Sequence, residues 1–442
     1  MKALTKISIG FLALAAAALW FTSCSSEDVT SGTNQGKMSS LTLTINTGKS
    51  MGSRATDWTT DPAGSDKKDT ENKINRVAIG IFSHSGAVRT IVELTPGTTG
   101  TNSLSQTDAN NATATIVTSS LVADAGNEDE VLVAINAPTG TFTGCQNKTA
   151  FMQKTETAAE ALANYDQTSL PNPTTQVETN IPMFGSAKLS GSGSSFNTTI
   201  SVFHMIAKVS LTSLKVDFKA GSAYADAEFT PKAVFLINVP TTFQFNNSVD
   251  ANGDYNNAWL SAGYEHGWGT FTTTTTTNYG ADAANADAGT TFTGSTFTFA
   301  KYLTTSELTG TPLKGEDVAS NTDASYGKNV YFYTMPNGQD GDKATKLVIA
   351  GLFTSAKAGI TDKVVYYPLF LNATVNSART GYDPAVPNSG VKKVYPNKNY
   401  NCTVVIRNIG ANSPNTNLDP QTASISIEVK DFVTANQTTE FN

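Results

Sequence analysis

The chain has 442 residues, with 30 Lys and Arg against 37 Asp and Glu, a net charge of -7 and only 15% charged residues. That length leaves room for two or three domains, and an acidic balance without a local run of Lys or Arg excludes an electrostatic footprint for nucleic acid. Short runs of Val, Ile, Thr, Phe and Tyr abound while long amphipathic helical patterns are scarce, which is the composition of an exported all-β protein.

At the amino terminus, Lys2 and Lys6 precede an apolar run over residues 7–21, too short for a spanning helix and suited to a signal peptide over residues 1–23. Its end, FTSCSS, sets Cys24 after the small Ser23, the arrangement of a bacterial lipobox in which the cysteine is acylated and held at the outer membrane. The polar stretch SSEDVTSGTNQG that follows has linker composition. In SLTLTINTGKSMGSRATDW, residues 40–58, Leu41, Leu43 and Ile45 alternate with Thr42, Thr44 and Asn46, the pattern of a half-buried strand. Gly48, Lys49, Ser50, Gly52 and Ser53 then form a polar loop in which Arg54 precedes the small Ala55, an accessible site for an Arg-specific protease. Residues 24–54 therefore read as a lipidated pro-segment that carries a removable first strand.

From residue 74 onward strands follow one another. NRVAIGIFSHSGAV reads as a strand and turn, DEVLVAINAP as a buried strand ended by Pro138, and TTISVFHMIAKVSLTSLKV as one or two long strands. Ala, Glu, Gln and Met favour a helix over residues 150–163. The Gly/Ser-rich GSAKLSGSGSSFN is read as a break, dividing a first β-sandwich at 55–200 from a second at 201–442. In the second part, AVFLINVP, NVYFYTMPN, KLVIAGLF, KVVYYPLFLN and NYNCTVVIRNIG are short strands closed by Pro, Asn or Gly. The Thr-rich GTFTTTTTTNYGADAANADAGTTFTGSTFTF between them has the composition of an exposed loop.

No nucleophile elbow, zinc-protease or phosphate-loop motif occurs, so the expectation is a protein that is not an enzyme and has no cofactor and no metal. Cys145 and Cys402 are expected as separate buried thiols, and His84, His204 and His266 are too scattered for a Cys/His metal site. Asp250, Asn252 and Asp254 have the odd spacing of calcium ligands but lack the sixth-position Gly, and Ser261 stands at the twelfth position, so a surface turn is expected. NEDE at 127–130 reads as a charged turn, and His204, in an apolar run, as a structural histidine. Trp58, Trp259, Trp268 and Tyr264 suit packing, or else a sugar platform.

IPMFGSAKL, HMIAKVSL, VYPNKNYNCTVVIRNIG and the terminal VKDF, together with the lipobox and the Arg-Ala junction, resemble the FimA-type, Mfa-like fimbrillin family of Bacteroidales over essentially the whole chain. The sequence departs from that pattern at His204, where Arg is common, and at Phe432, where Trp is frequent. The resemblance implies two transthyretin-like β-sandwich domains in tandem with a short helix in the first, lipoprotein export, cleavage after an arginine, and polymerisation into a type V pilus by donor-strand exchange. The terminal ASISIEVKDFV suits that role: Ile425, Ile427 and Val429 share one face with the spacing of Leu41, Leu43 and Ile45, and residues 423–433, with Phe432, are the expected donor strand. ANSPNTNLDPQT before it reads as a flexible tether. The implied function is that of a stalk pilin supporting adhesion, first an outer-membrane lipoprotein and then part of an extracellular fimbrium. Its implied partners are copies of itself or related pilins, an Arg-specific protease, the membrane through its lipid, and a host or bacterial surface ligand. An anchor or tip adhesin of the same pilus, or a surface glycan-binding lipoprotein, remains an alternative.

Overall fold

The computed structural model describes residues 38–47, 71–108, 111–162, 178–246, 263–267, 269–272, 276–279, 306–307, 312–315, 318–320, 330–339, 341–374, 376, 378–379, 392–420 and 422–431. All of them belong to one compact unit, Lys37–Asn442. The architecture is all-β, with two sandwiches in tandem.

The first sandwich draws one sheet from Ser103–Asp108, Asn111–Ser119, Met38–Asn46, Ser195–Ser201 and Ser190–Ser192, in that spatial order. The facing sheet has the order Phe203–His204, Met183–Lys188, Glu130–Ile135, Val77–Phe82 and Val88–Leu94. Period-2 alternation sends Leu41, Leu43, Ile45, Ala112, Ala114 and Ile116 inward from one sheet, where they meet Val77, Ile79, Ile81, Val131, Val133 and Ile135 of the other. Glu130–Ile135 reads as an unbroken apolar run because it is covered on both faces. Leu132 and Ala134 turn outward into a second core with Phe82, Phe142 and Phe151, the last carried by the short helix Lys148–Met152.

The second sandwich packs the sheet Val318–Ser320, Ala207–Val216, Lys398–Ile406, Ala423–Asp431 against the sheet Ser306–Glu307, Glu228–Ile237, Lys346–Ser355, Ile360–Phe370. Val330–Thr334 and Leu313–Lys314 add short pairings to Ala207–Val216 and Glu228–Ile237. The sheets change over between residues 204 and 207. One apolar cluster runs through that changeover, joining Phe142 and Phe184 of the first part to Val209 and Phe243 of the second.

Two readings of local structure differ from expectation. The Gly/Ser-rich stretch around residue 190 is drawn into the strands Met183–Lys188, Ser190–Ser192 and Ser195–Ser201. Within it Gly185 lies so close under the neighbouring strand that a Cβ would collide with the Ser201 carbonyl, which accounts for the glycine in IPMFG. The helix expected over 150–163 is split into Lys148–Met152 and Ala158–Leu162, because Thr155–Thr157 between them pairs as a strand with Thr242–Gln244 of the second part. A long-range ladder has overridden local helix propensity.

Candidate functional site

The site is the slot filled by Met38–Asn46. This strand is interior to its sheet: it runs antiparallel to Asn111–Ser119 over its whole length and parallel to Ser195–Ser201 from Ser40 to Asn46. Both of its backbone edges are therefore hydrogen-bonded, and its ends are tied by Ser40 N to Ser194 O at 2.9 Å and by Val202 N to Asn46 O at 3.0 Å. Leu41 lies between Ile116 and Phe196, Leu43 between Ala114 and Thr198, and Ile45 between Ala112 and Ile200. All three apolar side chains are fully buried, and each contributes about 1.5–3 kcal/mol by leaving water. Thr42 and Thr44 point the other way, so the strand offers the slot one apolar face and solvent one polar face.

The last described strand, Ala423–Asp431, occupies a different kind of place. Among the described residues it ends its sheet and pairs with Lys398–Ile406 alone, in antiparallel register with Ile425 opposite Val404, Ile427 opposite Cys402 and Val429 opposite Tyr400. Ile425 and Ile427 are buried in the core of the second sandwich. On the strand's outer edge the Ile427 N–H donates to Thr374 Oγ1 at 3.1 Å, so this amide points away from Cys402. The preceding segment is less free than its composition suggested. Lys346 Nζ donates to Asn415 O at 3.2 Å and to Asn417 Oδ1 at 2.7 Å, Asn417 Nδ2 donates to Asp342 at 3.1 Å, and Ala411 bridges to Tyr366. Burial holds the Lys346 ammonium down at about 8.

The chain re-enters the described structure at Glu71, in a buried polar cluster between the two sandwiches. Glu71 Oε1 accepts from Lys208 Nζ at 2.8 Å and from the Tyr333 hydroxyl at 2.7 Å, while its main-chain carbonyl lies 3.2 Å from His204 Nε2. Lys208 also sits 4.7 Å over the Tyr331 ring. His204 is thus a structural histidine, and burial lowers its pKa to about 3, so the ring is neutral. Nothing in HMIAKVSL signalled that its lysine would be buried, since the partner carboxylate lies 137 residues away.

The strand pair that links the two parts buries Glu156, with no hydrogen-bond partner at either carboxylate oxygen. Burial and then the charge of Glu160 push its pKa well above the usual carboxylate range, against a smaller pull from Arg76. The folded state therefore keeps a proton that the unfolded chain loses, and this group's contribution to stability falls as pH rises from about 4.5. His204 has the opposite sign, with stability lost as pH falls from about 6.5 toward 3. Glu156→Gln should match the wild-type melting temperature near pH 4 and exceed it increasingly toward pH 8; thermal melts across that range check this, and parallel curves would contradict it.

The other residues singled out in the sequence fall as follows. Cys145 and Cys402 are buried free thiols, and burial raises the pKa of both. The acidic turn is structural: Glu128 pairs with Lys188 at 3.2 Å, Asp129 with Arg89 at 3.3 Å and Glu130 with Lys148 at 2.5 Å, so the carboxylates serve separate cations. Cys24, Arg54, Ala55, Trp58, Asp250, Asn252, Asp254, Trp259, Ser261, Trp268 and Phe432 lie outside the described residues.

Neither a family model nor a curated protein sequence matches the chain. Solved structures do. A candidate cell adhesion protein from Bacteroides eggerthii aligns with a TM-score of 0.53 and 19% identity over 91% of this chain and 99% of its own. Another, from Parabacteroides distasonis, aligns with a TM-score of 0.54 and 13% identity over 89% of this chain and 100% of its own. The chain has the fold of these adhesion proteins. A fimbrilin from Porphyromonas gingivalis also aligns, with a TM-score of 0.49 and 16% identity over 90% of this chain and 99% of its own. The all-β tandem-sandwich fold expected from the sequence is thus shared with the two cell adhesion proteins.

Proposed function

We propose that this chain is a stalk subunit of a surface fimbria of the fimbrillin type. It is exported as a lipoprotein through Cys24, cut after Arg54, and polymerised when the last strand of one subunit fills the slot vacated by Met38–Asn46 in the next. The observation that carries this reading is the contrast between the two strands. The first fills an interior slot with two hydrogen-bonding edges, whereas the last, among the described residues, sits at a sheet edge with one partner strand. Their apolar positions, 41, 43, 45 and 425, 427, 429, have the same spacing and direction.

The energetics follow from that contrast. A slot emptied by cleavage exposes two rows of unpaired backbone groups beside an apolar trough, a state that seeks a strand. A last strand moving from its own sheet edge into such a slot gives up one ladder and gains two, while its apolar face stays buried. The loss at home is the apolar area under Ile425 and Ile427, which is comparable to the area regained. Joining is therefore favoured only after cleavage, and the joint is slow to part. The role needs no catalytic group, and its partners are further copies of the chain or related subunits.

Amino-terminal sequencing of surface filaments tests the reading. The expected first residue is Ala55, with residues 41–45 gone, and mass spectrometry of membrane-extracted precursor should find lipid on a peptide that begins at Cys24. Filaments that retain Leu41 to Ile45 would contradict it.

A further inference from the structure

Beside the root of the last strand, the second sandwich has an open cleft of about 360 Å³ lined by Asp217, Lys219, Ser222, Arg379, Arg407 and Asn408. Among the described lining residues its charge is unbalanced. Arg407 Nε lies 3.2 Å and Arg379 Nη2 3.5 Å from the same oxygen, Asp217 Oδ2, so two guanidinium groups share one carboxylate and Lys219 adds a third cation. That excess of positive charge sits in a chain whose net charge is -7. Burial and then the neighbouring Arg379 depress the Arg407 pKa, against an opposing pull from Asp217.

The cations are positioned ones. Arg407 is held at a second point, where Nη1 donates to Ser424 Oγ at 2.6 Å, and its side chain is 14% exposed.

We propose that this cleft binds an acidic saccharide through its carboxylate. Planar guanidinium forks match a carboxylate in two-point geometry, which a lysine cluster alone does not. Among the described residues, the remaining lining is Ser222, Asn408 and Ala378, two polar residues and one small apolar one. A hydroxylated ring can meet such walls, whereas a peptide anchor would look for an apolar one. The volume accommodates a sugar ring at the low end of the range for small-molecule sites. Because Arg407 also holds Ser424, the ligand and the last strand share a residue, so occupancy and strand position are thermodynamically coupled.

Titration calorimetry on the full chain, with methyl glucuronide, sodium sulfate and methyl glucoside as probes, tests the inference. The glucuronide is expected to bind saturably, more tightly than sulfate and less tightly as salt is raised, while the neutral glucoside gives no saturable heat. Arg379→Gln, in a part-exposed turn, should weaken glucuronide binding about tenfold, as the loss of one charge-assisted contact does. Asp217→Asn should strengthen it several-fold by removing the competing carboxylate, a gain that a merely structural role would not give. Absent glucuronide binding, sulfate binding as tight as glucuronide, or affinity indifferent to Arg379→Gln would each overturn the proposal. None of these outcomes depends on filament assembly.

Discussion

Leu43→Ala should destabilise the uncut chain by about 2–5 kcal/mol, measured as a lowered denaturation midpoint, and leave matured filaments as stable as the wild type. The first half of this expectation rests on burial. Leu43 is 0% exposed in an interior strand, with the small Ala114 and Thr198 as lateral neighbours, which cannot extend into the space left by an isobutyl group. The second half rests on the proposed maturation: if cleavage after Arg54 removes Leu43, that residue cannot influence a polymer that no longer contains it. Ala112→Leu has the complementary pattern. It crowds the slot beside Ile45 and would burden the precursor and the joined subunit alike, since the wall remains whichever strand fills it. A filament weakened by Leu43→Ala would mean that the first strand is retained and that cleavage does not open the slot.

Local patterns carried part of this picture and distant pairing carried the rest. Leu41, Leu43 and Ile45 were legible because a strand with one wet face must alternate, and that rule needs no knowledge of neighbours. The position of the strand inside its sheet was not legible, because its partners begin at Asn111 and Ser195 and one of the pairings is parallel. In the last strand the apolar face of Ile425 and Ile427 showed in the sequence, but its resting place against Lys398–Ile406 did not. The tether before it was read as free from its Pro and Asn content. Asn415 and Asn417 are instead held by Lys346, a residue some 70 positions away that an apolar run, KLVIAGLF, gave no cause to place there. The helix over 150–163 failed for the same reason: Thr155–Thr157 had a partner, Thr242–Gln244, that no local window contains. Lys208 is the clearest case, a charge within a strand pattern that composition would send to solvent and that Glu71 brings inside.

Placement of the last strand in its own sandwich also decides how its movement is best tested. An aspartate substituted for Ile427 would block exchange, but Ile427 is only 5% exposed at home and the same charge would unsettle the subunit before any exchange took place. A reversible lock avoids that confusion. Ile427 faces Cys402 across the antiparallel pair, and its N–H donates outward to Thr374, which makes the two residues a non-hydrogen-bonded pair. In such pairs Cα atoms stand about 4.5 Å apart, within the ~4.4–6.8 Å span that a disulfide bridges. Cys402 is a free thiol, so Ile427→Cys supplies the missing half, and a mild oxidant would tie the last strand to its own chain without adding charge to the core.

The decisive measurement is filament formation by protease-treated Ile427→Cys protein, oxidised and then reduced, followed by electron microscopy. The account predicts no filaments from the oxidised subunit, filaments of normal appearance once reductant is added, and no effect of oxidant when Cys402→Ala is combined with Ile427→Cys. Filaments that form equally well from the oxidised, locked subunit would show that the last strand stays at home during assembly, and the proposed exchange would be wrong.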